Sequence, residues 1–353
     1  MSALPRRRAF LRATGAAALA PAASPALALS AERAEWPPAE GPGTPRLCLG
    51  TGATADEKEM RRIRQIGVDS VLMGGPGIPW KEEDLRALVE RFRKGGLTVA
   101  NLMIGGFPNA LYGRTGRDEE IEKVKDSIRA AGAAGVPVVE YNFYAHRLTE
   151  GYYEELGRAG AGLTAYDYER SKDLPPLPDV GAHSLDAMWA NVTFSLKAVV
   201  PVAESAGVRL ALHPSDPPVP LSRGSGQIMA TLEGWKRLVT IVDSPANGIT
   251  YDCGVTREIA EDPVAVCRWF GERDRINHVH YRNVSVRRPS VAYTEVFLDE
   301  GQVDMFAVMK ELVRQKYPRA LYPEHQRATD LDRERPGFKP YYPGGGGVVG
   351  EVY

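Results

Sequence analysis

Apolar residues along this chain gather in short clusters separated by longer stretches of helical period. RLCLG (46–50), VDSVLMG (68–74), LTVANLMIG (97–105) and VPVVEYNFY (136–144) are short, dense in branched and apolar side chains, and predict buried strands. Between them, DEKEMRRIRQIG (56–67) places Met60, Ile63 and Ile66 on one side of a helix. EEDLRALVERFRKGG (82–96) predicts a second helix closed by a glycine pair, and DEEIEKVKDSIRAAGAAG (118–135) a third. The second half repeats the rhythm. A long helix at 184–207, with a kink expected at Pro201, precedes the strand VRLAL (208–212). Helices at 231–243, 262–272 and 302–317 then alternate with strands at 246–253, 275–283 and 319–325. The stretch 146–179, rich in tyrosine, glycine and proline, reads as a loop over a pocket and not as a core element.

Eight strands, the first seven each followed by a helix, predict a single closed (β/α)8 TIM barrel over residues 46–353. A doubly wound sheet would have fewer strands and a glycine-rich phosphate turn after the first, and no such turn follows RLCLG. Gly344–Gly347 follow no strand and are expected to form a loop. No pattern for an eighth closing helix precedes Tyr353.

The strand ends carry the chemistry. VRLAL stops at His213, and Pro214, Pro217 and Pro218 prevent continuation of strand or helix. ANGITYDC ends in Asp252 and Cys253, RINHVHYRN contains His278 and His280, and RALYPEH ends in Glu324 and His325. In such barrels the carboxyl ends of the strands surround one pocket, so four of these ends can supply one metal site. His278, two residues before His280, shares its face at greater depth and reads as a hydrogen-bonded supporting residue. Arg282, two residues after, is expected at the pocket mouth, holding a substrate carboxylate or a surface ion pair. Glu140 is a carboxylate in an apolar strand, whereas His146 and His183 carry no argument.

Charge and cysteine content narrow the partners. Basic and acidic residues nearly cancel, 44 against 45, which removes the electrostatic case for nucleic acid or an acidic membrane and leaves a small metabolite. Three cysteines without framework spacing argue against a disulfide scaffold. A homo-oligomer is compatible with the sequence. Residues 6–12, RRRAFLR, followed by an Ala/Leu-rich run to residue 31, have the form of a twin-arginine signal and imply a periplasmic location. A proline-rich leader covers 32–45.

Several of these segments resemble mannonate dehydratase, of the xylose-isomerase-like group of barrels. They are LKAVVPVAESAGVRLALHPSDPP (196–218), where that family has HPDDPP, then VDSPANGIT (242–250), HVHYRNV (278–284), YNF (141–143), GQVDM (301–305) and YPEH (322–325). The resemblance covers most of residues 46–340. It implies a metal-dependent sugar-acid dehydratase that takes D-mannonate to 2-keto-3-deoxygluconate and water, usually with manganese. The family's ligands are a histidine of HPDDPP, a cysteine after the sixth strand, a histidine of the H-x-R segment and the aspartate of a PDH sequence. His213 and His280 match directly. Aligned on its glycine, YDCG places Asp252 at the thiolate position, with Cys253 beside it as a packed neighbour and the alternative ligand, and Glu324 replaces the aspartate. The implied metal ligands are therefore His213, Asp252, His280 and Glu324, a harder set that favours manganese, with magnesium second.

His325 matches the histidine of PDH and is the implied acid or base. The family's C-terminal glycine-tyrosine appears as Gly337-Phe338, which leaves Tyr341 or Tyr342 to supply a second proton-transfer group. The changed ligands and the export signal keep a second reading in view: an isomerase, epimerase or keto-glycoside lyase of the same barrel group. A periplasmic binder is third, since a binder has no need of a metal flanked by proton-transfer groups.

Overall fold

Asp56, Ser184, Thr231, Asp262 and Asp304 each accept a hydrogen bond from a backbone N–H in the turn that follows, and each starts a helix there. The computed structural model describes residues 41, 43–325 and 327–334. Its helices are α1 (Glu57–Gln65), α2 (Glu82–Lys94), α3 (Arg117–Ala134), α4 (Leu185–Ala206), α5 (Leu232–Ile241), α6 (Pro263–Gly271) and α7 (Met305–Arg314), with shorter turns between. α4 is one helix across Pro201. The strands are β1 (Arg46–Gly50), β2 (Ser70–Gly74), β3 (Thr98–Ile104), β4 (Val138–Tyr141), β5 (Arg209–Leu212), β6 (Asn247–Asp252), β7 (Ile276–His280) and β8 (Ala320–Tyr322). These eight close into one parallel barrel in sequence order, with β1 paired to both β2 and β8. The predicted TIM barrel is the observed architecture.

The helices pack on the outside of the strands, where Leu85, Phe92 and Phe270 are fully buried. Each such side chain stabilises the fold by about 1.5–3 kcal/mol. The parallel ladder fixes the direction of every strand, so all eight carboxyl ends lie at the same mouth.

Stretch 146–179 departs from the expected loop. It contains two strands, Tyr152–Leu156 and Gly162–Asp167, which join Asn283–Arg288 and Ala292–Val296 in a four-stranded antiparallel sheet outside the barrel. Tyr293 pairs with Tyr166, and Thr294 with Ala165. Correspondingly, the predicted strand 275–283 divides: the barrel strand stops at His280 and a new strand begins at Asn283. Tyr152, Tyr166 and Tyr293 form a small apolar core for this sheet with Leu148 and Val219.

Among the described residues only the turn Asp330–Arg333 follows β8, and no helix is long and apolar enough to cross a membrane. The export segment, most of the leader, Gly337, Phe338, Tyr341, Tyr342 and Gly344–Gly347 lie outside the described residues.

Candidate metal centre and acid–base site

His213 follows β5, Asp252 and His280 end β6 and β7, and Glu324 lies two residues beyond β8. Their donor atoms all fall within 4.8 Å of one another. His280 Nδ1 stands 2.9 Å from His213 Nε2 and 2.8 Å from Glu324 Oε1. His213 Nε2 lies 3.9 Å from Glu324 Oε1 and 4.0 Å from Asp252 Oδ2. Such separations suit ligands around a common centre about 2.1 Å away.

Second partners orient both imidazoles. His213 donates from Nδ1 to the Pro214 carbonyl at 2.7 Å, which turns the Nε2 lone pair inward. His280 Nε2 faces Glu140 Oε1 at 3.3 Å, leaving Nδ1 for the cluster. Glu140 is itself fixed by Asn101 Nδ2 at 2.6 Å and Thr250 Oγ1 at 2.8 Å. It therefore supports His280 from within the barrel. Glu324 Oε1, though close to His280, makes no aligned hydrogen bond and is buried. Converging lone pairs with a buried, unsatisfied carboxylate oxygen are what a divalent cation resolves, so the residues fit the ion the sequence implied.

The charge balance agrees. Glu140, Asp216, Asp252, Glu258, Glu295 and Glu324 are all buried here, against the guanidinium groups of Arg282 and Arg327. Burial raises Asp252, and Glu324 adds to this while Arg282 opposes it. Burial would also raise Glu324, but His280 and His325 hold it well below the usual carboxylate range. At His213 burial is outweighed by Glu324, Glu140 and Asp252, which together push the imidazole up to about 9. A cation competes with that proton.

Two sequence expectations need correction. Arg282 lies beside the carboxylates of the cluster and is not open to solvent. It is fully buried, donating to Asp252 Oδ2 at 2.9 Å, Glu258 Oε1 at 2.8 Å and Asp216 Oδ2 at 3.2 Å. A guanidinium committed to three carboxylates inside the protein holds the site together. Gly254 makes room for it, since a Cβ there would lie 2.9–3.0 Å from Arg282 Cγ, Cζ and Nη1. His278, expected to be hydrogen-bonded, is buried with neither ring nitrogen partnered, and burial lowers it to about 4.

Cys253 stays outside the cluster, its Sγ directed at the carbonyls of His280 and Arg282 at 3.5 and 3.2 Å, and burial pushes the thiol up. Asp252, by contrast, serves twice: Oδ1 accepts from Val255 N at 2.8 Å and starts the short helix Cys253–Glu258, while Oδ2 faces the cluster.

His325 adjoins the centre. Its φ of 53° departs from the strand, and its Nε2 lies 3.4 Å from Glu324 Oε2. Nδ1 lies 2.9 Å from Glu295 Oε1. Sequence reasoning missed Asp216, Glu258 and Glu295. The first sits within HPSDPP, where the pattern already marked a turn, and accepts on Oδ1 from Tyr152 and Tyr293 at 3.1 and 2.8 Å. Glu258 and Glu295 had no local signal.

The same barrel recurs in known proteins. A streptococcal mannonate dehydratase, from Streptococcus pneumoniae (strain 70585), is 32% identical over 294 residues, covering 75% of this chain and 80% of the relative. The chain belongs to the mannonate dehydratase family. The mannonate dehydratase of Thermotoga petrophila is 30% identical over 329 residues, covering 82% of this chain and 91% of that one. The family described as D-mannonate dehydratase (UxuA) matches residues 179–344, which hold all four candidate ligands and His325. The crystal structure of mannonate dehydratase from Streptococcus suis serotype 2 superposes with a TM-score of 0.78 at 27% identity, covering 87% of this chain and 91% of that chain. A xylose isomerase domain protein from Planctomyces limnophilus, at TM-score 0.51 and 14% identity over 80% of this chain and 89% of that chain, shares the barrel fold.

Proposed function

We propose that this protein is a metal-dependent hydro-lyase acting on a sugar acid, converting D-mannonate to 2-keto-3-deoxygluconate and water. The observation that carries the reading is the convergence of His213, Asp252, His280 and Glu324 at the barrel mouth, with His325 beside Glu324. These four residues would hold a divalent ion, manganese before magnesium because two of the four donors are imidazole nitrogens. When bound, the ion supplies Lewis-acid stabilisation of the negative charge that builds on the substrate carboxylate and 2-hydroxyl.

The chain's own residues must then move two protons. One leaves C2 to a base, the C3–oxygen bond breaks, and the departing oxygen gains the other to leave as water. The resulting C2–C3 enol becomes the 2-keto acid. His325 takes one of these roles, a contribution on the order of 10² to 10⁴ in rate, and Tyr341 or Tyr342 supports the other. Arg282 fixes the carboxylates around this chemistry.

Protein loaded with manganese and supplied with D-mannonate should release a 2-keto-3-deoxy acid. Intact mannonate together with turnover of a ketose or ketoglycoside would replace the reading with an epimerase or lyase of the same fold. The arginine run at 6–8, before its apolar segment, supports export of the folded protein to the periplasm. Replacing Arg7 and Arg8 with lysine should retain the protein in the cytoplasm, and unchanged periplasmic recovery would reject that route.

A further inference from the structure

Glu295 lies on Ala292–Val296, an inner strand of the mouth sheet, 30 residues before His325, and its side chain is fully buried. Two carboxylates approach the Nδ1 of His325. Asp216 Oδ2 is 3.8 Å away and already accepts from Arg282, while Asp216 Oδ1 accepts from two tyrosines. Glu295 Oε1 is 2.9 Å away, at hydrogen-bond distance. Arg327 ties the pair from behind, donating from Nη1 to the His325 carbonyl and lying 3.5 Å from Glu295 Oε2. His325 occupies the left-handed backbone region, which non-glycine residues adopt only where the surroundings impose it. The ring is thus held from outside the barrel.

We propose that Glu295 is the positioning residue for His325, accepting the Nδ1 proton so that Nε2 is presented on the metal and substrate side. The arrangement follows the logic of carboxylate–imidazole pairs in which one ring nitrogen is anchored so that the other can transfer a proton. It implies that the site is incomplete in the barrel alone, because one half of the pair is delivered by the antiparallel sheet at the mouth. The role of His325 in turnover rests on the dehydratase reading, whereas the anchoring of its ring does not.

Both parts are separable in one set of measurements on full-length protein labelled with ¹⁵N-histidine and loaded with magnesium. In the parent, the Nδ1 of His325, assigned by its loss in His325→Asn, should carry a slowly exchanging proton in one-bond N–H correlation spectra. That signal should vanish in Glu295→Leu and persist in Glu295→Gln, which keeps an acceptor oxygen. Turnover of D-mannonate should fall 10- to 100-fold in kcat for Glu295→Leu, with KM and metal content within about twofold of the parent, and recover to within about tenfold in Glu295→Gln. A parent protein without the Nδ1 proton overturns the proposal whether or not any variant folds. So does a Glu295→Leu protein that keeps the signal, or that loses metal in step with activity. If the parent spectrum is as expected but mannonate is not turned over, the dehydratase reading fails and the anchoring stands.

Discussion

Arg282 Nε donates to Asp252 Oδ2 at 2.9 Å, so the carboxylate that turns toward His213 is also bound to a buried guanidinium. With Asp216 and Glu258 on its other nitrogens, Arg282 neutralises a group of acids that water cannot reach. Removing one partner from a buried ionic group costs about 3–5 kcal/mol, because the remaining charges are stranded. Arg282→Met should lose stability of that order in urea unfolding of the metal-free protein. A variant with parental stability and only a raised KM would return Arg282 to a substrate-binding role.

Gly254 is the corresponding steric prediction. An alanine Cβ would meet an arginine that its carboxylate partners prevent from moving. Gly254→Ala should cost about 1–3 kcal/mol as an overpacked site, seen as a lowered melting temperature and weaker manganese binding. An unchanged melting temperature would contradict the packing described.

His325 and Glu324 are neighbours with different tasks. Metal-saturated His325→Asn should keep its metal while turnover falls by a factor on the order of 10² to 10⁴. Glu324→Gln should lose metal affinity and activity together. A His325→Asn rate within threefold of the parent would reject the proton-transfer role.

The strands and helices of the barrel were legible because each is a local pattern: a short apolar run, or a 3.6 period with a cap such as Asp56 or Ser184. The strand ends that bring the candidate ligands together were legible because a parallel barrel converts "end of strand" into "same mouth", while the choice of Asp252 over Cys253 came from the resemblance to mannonate dehydratase. The mouth sheet was not: Tyr152–Leu156 pairs with nearby Gly162–Asp167, but Gly162–Asp167 finds its other partner, Ala292–Val296, more than a hundred residues away, and alternation over five or six residues does not reveal that pairing. The same distance hid Glu295. Arg282 was misplaced for a related reason: strand alternation gives the direction of a side chain, but only the fold shows that Asp216 and Glu258 meet it there.

Acid stability should depend on Glu311 of α7. Arg314 bonds its carboxylate, Gln315 and Arg268 add to the effect, and together they outweigh burial and lower it from 4.5 to about 2. A depressed folded-state value stabilises the protein above the unfolded value, and that stability is lost as pH falls from about 4.5 toward about 2. Because both arginines are half exposed, we expect about 1–3 kcal/mol. Glu311→Gln should be less stable than the parent at pH 7, with the gap closing near pH 2 in urea titrations. An equal gap at both ends would show that packing and not charge is responsible.

The metal centre is tested most directly by anomalous diffraction from crystals grown with manganese. A single strong peak should appear at the barrel mouth, about 2.0–2.4 Å from His213 Nε2, Asp252 Oδ2, His280 Nδ1 and Glu324 Oε1. A peak bound elsewhere, or none at saturating manganese, would contradict it.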